Sequence, residues 1–111
     1  MMHELRLHDE PFELIKSGSK TIEMRLYDEK RKLIKEGDII IFTNRVTDEK
    51  LKTKVIKLYL FNSFEELYKN FDGVSLGYKV NEKIDPSDME KYYSKEDQSK
   101  YGVVGIEIEL I

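Results

Sequence analysis

Gly18-Ser19-Lys20-Thr21-Ile22-Glu23-Met24-Arg25 sets an ammonium, a hydroxyl, a carboxylate and a guanidinium within a few residues of a glycine turn. Read as a strand from Thr21 to Tyr27, the segment alternates its side chains between two faces. Ile22, Met24 and Leu26 fall on one face, and Thr21, Glu23, Arg25 and Tyr27 on the other. The first face belongs to a core. The second is either an ordinary half-exposed surface whose charges pair with neighbours or a binding face, and the residues alone leave both open.

Toward the N-terminus, Leu5 and Leu7 alternate with Glu4, Arg6 and His8, which predicts a short strand with one buried face. A helix is expected next. Asp9 stands where a cap belongs, Pro11 lies in a first turn that tolerates a missing N–H, and Phe12, Leu14 and Ile15 form an apolar stripe before Ser17-Gly18. On the other side of the motif, Asp28 to Lys35 reads as helical or irregular, Gly37-Asp38 as a turn, and Ile39-Ile40-Ile41-Phe42 as a buried strand. Leu51 to Leu60 forms a long strand whose imperfect alternation predicts a bulge or bend.

Ser63-Phe64-Glu65-Glu66 has the spacing of a capping box, ahead of Leu67 and Phe71. Residues 74–85 read as a surface loop. Asp85-Pro86 starts a helix with Met89, Tyr92 and Tyr93 on one side, and Ser94 with Asp97 caps a last short one. Val104, Ile106 and Ile108, alternating with Glu107 and Glu109, give the clearest strand in the chain. The order predicts one α+β domain over residues 1–111, built on a small curved sheet or barrel with helices at its ends.

The absence of cysteine excludes disulfides, thiolate nucleophiles and cysteine-based zinc sites, and suits a soluble cytoplasmic protein. No apolar run approaches the roughly 18 residues of a membrane span, so no membrane partner is expected. A formal net charge of −3 lacks the basic footprint of a duplex-binding protein. It leaves room for a small basic cleft accepting a nucleoside or a short single strand. Lys30, Arg31, Lys32 and Lys35 read as a solvated face. There is no Walker-type phosphate loop, dinucleotide fingerprint or serine elbow. His3 and His8 lack ligand-like spacing, so neither metal nor cofactor is expected.

The remaining chemistry centres on the motif. Lys20 and Glu23 are the candidate acid and base if the protein is an enzyme. Arg25, about 7 Å from Glu23 along the strand face, is the first choice for a phosphate or base contact. Tyr27, Tyr92, Tyr93 and Tyr101 can stack bases, or serve as rim residues of a core with their hydroxyls in water.

The motif Gly18-Ser19-Lys20-Thr21-Ile22-Glu23-Met24-Arg25, followed by Gly37-Asp38-Ile39-Ile40-Ile41-Phe42 and by Tyr101-Gly102-Val103-Val104-Gly105-Ile106, resembles the ASCH domain family, relatives of the PUA RNA-binding domain. The resemblance implies a small PUA-like β-barrel with helices covering its ends and a cleft beside the motif strand. It also implies RNA or nucleotide binding, with Lys20 and Arg25 facing the cleft and Glu23 between them; Tyr27 and Tyr93 are our own additional candidates for the cleft lining. One branch of the family, the bacterial acetylcytidine amidohydrolases, is similar at Gly18, Lys20, Thr21 and Arg25. That branch uses the motif lysine with a threonine and a distant glutamate. The threonine position falls on Glu23 here, and the segment near Ser75 offers no matching glutamate, so amidase chemistry would need Thr21 in a new role. Other members are ribonucleases, which would use Lys20 and Glu23 as acid and base. Recognition of RNA or a nucleotide is therefore the leading expectation, a small hydrolase of a modified nucleoside or RNA the alternative, and a protein-interaction adaptor a third class.

Overall fold

Val103 to Ile106 is apolar at consecutive positions, and both faces of that stretch of strand are buried. This sets the layering. In the computed structural model, which describes residues 1–111, five strands form one sheet: β1 (Met2–Leu7), β2 (Ile22–Leu26), β3 (Ile39–Asn44), β4 (Lys50–Phe61) and β5 (Val103–Leu110). Their order is β1-β3-β4-β5-β2, with β1 parallel to β3 and every other neighbour antiparallel. Four helices join them: α1 (Asp9–Lys16), α2 (Phe64–Tyr68), α3 (Gly73–Leu76) and α4 (Lys95–Tyr101). Two 3-10 helices span Arg31–Leu33 and Pro86–Lys91. No helix is long and apolar enough to cross a membrane.

Val104, Ile106 and Ile108 join Leu5, Leu7, Phe12, Ile15, Ile40 and Phe42 in a core beneath α1. Val103 faces the other way, into a second core with Ile22, Met24, Phe64, Leu67 and Met89. Gly105 lies where the second layer comes closest, because a Cβ there would stand 3.3 Å from Ile22 Cγ2 and 3.4 Å from Leu67 Cδ1. Phe12, Phe42 and Phe64 are wholly buried, each contributing roughly 1.5–3 kcal/mol.

The expected irregularity in β4 is a register shift between Val55 and Lys57, which leaves Ile56 outside. The sheet curls into a half-barrel whose edge strands, β1 and β2, approach without sharing a ladder. The α+β, PUA-like architecture implied by the resemblance is what the structure shows.

Several local expectations need correction. Asp9 does not cap α1: His8 is the capping residue and makes no side-chain cap, while the Asp9 carboxylate accepts from Asn44 Nδ2 at 2.9 Å. The fully buried Asn44 uses its oxygen for the Val46 and Thr47 N–H groups, so its amide needs Asp9. The capping box is shifted by one residue: Ser63 Oγ accepts from the Glu66 N–H, but the Glu66 carboxylate accepts from Asn62 rather than Ser63. Ile39 and Ile41 are only half-buried, since β3 alternates with Ile40 and Phe42 inward.

Residues 74–85 are not all loop. Asp72 caps α3 by accepting from the Ser75 N–H at 2.8 Å, Gly77 ends it with a φ of 108°, and Leu76 is buried. Four residues are too few for a periodic signal, and the contacts that hold them come from Lys20 and Thr21. Tyr92 parts from Met89 because the 3-10 helix ends at Lys91, leaving Tyr92 57 % exposed.

Candidate functional site

Gly18, with a φ of 88°, releases the chain from α1 and turns it toward β2. Thr21 anchors that approach through its backbone, donating to the Ser75 carbonyl and accepting from the Ile108 N–H. The alternation of β2 then sends Ile22, Met24 and Leu26 into the second core and Glu23 and Arg25 to the opposite face. That opposite face is covered too: Glu23 is 3 % exposed and Lys20 7 %.

Glu23 is the hub of three charges. Its Oε1 pairs with Lys20 Nζ at 3.2 Å and its Oε2 accepts from Arg25 Nε at 2.8 Å. Lys20 Nζ also donates to the Leu76 carbonyl at 3.2 Å, while Arg25 Nη2 donates to the Arg6 carbonyl at 2.9 Å. Burial pushes the Glu23 carboxyl upward, but the Lys20 and Arg25 charges outweigh it and hold it below the ordinary carboxylate range. For Arg25, burial works against the charged form and Glu23 overcomes it, raising the guanidinium further; Tyr93 also adjoins it. The group carries one net positive charge. Its remaining capacity is mostly donor, in the third Lys20 N–H and the Arg25 Nη1.

Lys20, Glu23 and Arg25 line a cleft of about 500 Å³, with Met24, Leu76 and Met89 among its apolar walls and Tyr68, Tyr78, Tyr92 and Tyr93 along it. Lys20 packs closely on Gly77, where a Cβ would stand 3.1 Å from Lys20 Cδ. Tyr93 stacks on Phe64 with ring centroids 5.8 Å apart, and Tyr92 lies 5.8 Å from the His8 ring at the mouth.

Among known folds, the chain matches the model of the ASCH domain over residues 5–111. The chain belongs to the ASCH domain family. It is similar to the crystal structure of hypothetical protein PH0355, with a TM-score of 0.82, 41 % identity and all of both chains covered. It is also similar to the solution NMR structure of protein PF0455 from Pyrococcus furiosus, with a TM-score of 0.76 and 40 % identity over 100 % of this chain and 98 % of that one. No curated protein matches the chain.

In this ASCH domain not every residue singled out from the sequence reaches the cleft. Tyr27 shares the face of Glu23 and Arg25 by alternation, but β2 has ended at Leu26, and the ring packs on the first core with Lys32 Nζ 5.8 Å from its centroid. Thr21 does not line the cleft, and its hydrogen bonds are those of its backbone. Tyr101 packs on the second core, with Lys100 over its ring. His3 lies elsewhere, its Nε2 2.8 Å from Asp38 Oδ2. No group of three or more His, Cys, Asp or Glu is placed to hold a metal ion.

The sequence reading missed one wall. The hydroxyls of Tyr68 and Tyr78 share a hydrogen bond of 2.9 Å, and Tyr78 donates to Asp88 Oδ2 at 2.8 Å. Burial, reinforced by the bonds to Tyr68 and Asp88, pushes the Tyr78 hydroxyl well above the ordinary phenol range, so it stays protonated. These residues come from α2, the segment after α3 and the 3-10 helix at Pro86–Lys91, with no motif linking them.

Proposed function

We propose that this domain binds RNA or a nucleotide by seating one base in the cleft, with Lys20 and Arg25 donating to acceptor atoms on the ligand and Tyr93 flanking it. The observation that carries this reading is the burial of the Lys20–Glu23–Arg25 group on the cleft wall with donors left unused. A buried ion group adds little stability over an apolar replacement, so retaining one beside a cavity favours a binding role. Membership in a family of RNA-binding type points the same way. A chain of net charge −3 fits a local pocket better than a broad nucleic-acid surface.

The hydrolase reading, on a modified nucleoside or on RNA, draws on the same residues. It ranks second because Glu23, the base of that reading, is held below the ordinary carboxylate range by two cations and is a weak proton acceptor. An NMR titration of the ¹⁵N-labelled domain with the four ribonucleosides and a mixed-sequence single-stranded RNA tests both. Saturable shifts at Lys20, Glu23, Arg25 and Tyr93 are expected. Shifts confined to other surfaces, or none with any ligand, would overturn the binding reading, and product signals from acetylated cytidine or the RNA would move the hydrolase ahead.

A further inference from the structure

We infer that the mouth of this cleft contains a phosphate subsite built on Arg6 and Arg45, so that the ligand is a phosphorylated nucleotide unit rather than a free nucleoside. The inference rests on the nucleotide-binding reading and deepens it.

Arg6 and Arg45 line the same cleft as the buried group and are mounted on the same framework. Arg6 lies near the C-terminal end of β1, and its carbonyl accepts the Arg25 Nη2 hydrogen bond. Arg45 follows β3 directly, and its N–H donates to the Leu7 carbonyl at 2.8 Å. Both guanidinium groups are available. Arg45 makes no ion pair, and Arg6 has only Asp48 at 3.9 Å, with side chains 61 % and 85 % exposed, a pair of little worth.

The cleft lining carries five cationic side chains, Arg6, Lys20, Arg25, Arg45 and Lys91, against four carboxylates, Glu10, Glu23, Glu82 and Asp88, a formal excess of one positive charge. Glu23 is paired, Asp88 accepts from Tyr78, and Glu82 accepts from the Lys79 N–H; only Glu10 has no such partner. Two arginines at one rim, above a wall that already carries a net positive charge, leave a field that an anion relieves. The planar guanidinium fork suits the oxygens of a phosphate ester. A base seated against Lys20 and Arg25 would leave its sugar phosphate at this mouth. A free nucleoside monophosphate and a phosphodiester of RNA share that chemistry.

The test compares wild type with Arg6→Ala, Arg45→Ala and the double variant, whose side chains lie outside both cores. The probes are ribonucleosides, their 5′-monophosphates, ribose 5-phosphate and a mixed ten-nucleotide RNA, at low and moderate salt. Monophosphates should bind more tightly than nucleosides, and each substitution should weaken only the phosphate-bearing ligands, by about five- to tenfold. For the RNA, each lost contact should reduce the slope of log affinity against log salt by about 0.7. Preference for the ten-nucleotide strand would identify a phosphodiester, and preference for the monophosphates a free nucleotide. Equal binding of nucleoside and monophosphate, unaffected by the double substitution, would overturn the subsite and leave the base-binding reading intact. Arginine-dependent binding of ribose 5-phosphate and monophosphate alike, with no nucleoside bound, would keep the subsite and overturn base recognition. No binding of any probe would overturn both.

Discussion

Arg25 on β2 donates to the backbone carbonyl of Arg6 on β1, 2.9 Å away, across the gap between the two edge strands of the sheet. The same guanidinium holds Glu23 through Nε. One side chain thus joins strands that have no ladder between them and fixes the charge next to the cleft.

Arg25→Ala removes both links and leaves Glu23 with Lys20 alone. Losing one partner of a buried ion group costs about 3–5 kcal/mol. Urea denaturation should show a loss of that order, and Arg25→Lys should recover only part of it, since an ammonium cannot span both acceptors as a fork does. Arg6→Ala keeps the backbone carbonyl and should cost under about 0.5 kcal/mol. Equal losses for Arg6→Ala and Arg25→Ala would refute this account of the link.

Acid should unfold the protein in part through Glu23 and Asp38. Both carboxyls titrate lower in the folded state: Glu23 because of Lys20 and Arg25 against the opposing effect of burial, and Asp38, at about 2, because of its hydrogen bonds to His3 and the Lys35 N–H. The stability they contribute is fully present above their unfolded values of about 4 and is lost as pH falls through the folded ones. Glu23→Gln should therefore be less stable at neutral pH and show a shallower loss between about pH 5 and pH 2. Asp38→Asn should flatten the same acid limb. Parallel curves for wild type and both variants, measured by chemical denaturation across that range, would contradict the assignment.

Gly77→Ala tests the close packing of α3 on the motif lysine. The left-handed φ of 108° alone costs about 1–2 kcal/mol for a residue with a Cβ, and the new methyl would press on Lys20 Cδ. Gly37→Ala is the control, with a φ of 89° and nothing within 4 Å of its Cβ. Thermal melts should show both destabilised, and NMR should show the Lys20 and Glu23 signals displaced only in Gly77→Ala.

Tyr78→Phe removes the hydroxyl between Tyr68 and Asp88. The expected cost is about 1 kcal/mol, with faster hydrogen exchange over residues 78–92 and little change at α1. Unchanged exchange in that segment would mean the hydroxyl chain does not hold the wall.

Much of this architecture was legible because it is periodic. The alternation of Ile22, Met24 and Leu26 and of Val104, Ile106 and Ile108 placed two strands, and the irregular β4 announced its own bulge. What alternation cannot show is which faces become covered. Glu23 and Arg25 stood together on one face, yet their burial depends on Leu76, 56 residues from Lys20, and on Arg6, 19 residues from Arg25. Tyr27 shows the converse, since sharing a face did not bring it to the cleft once the strand had ended. The Tyr68–Tyr78–Asp88 wall left no trace because each hydroxyl or carboxylate in it, taken singly, looks like a surface group.

The link across the gap recognises a peptide oxygen, which every amino acid supplies, and so is indifferent to the side chain at position 6. Architecture and ligand preference are thereby separable at that residue. Drift or design can rewrite the rim there, exchanging one charge or shape for another, while the joint beneath it keeps its geometry.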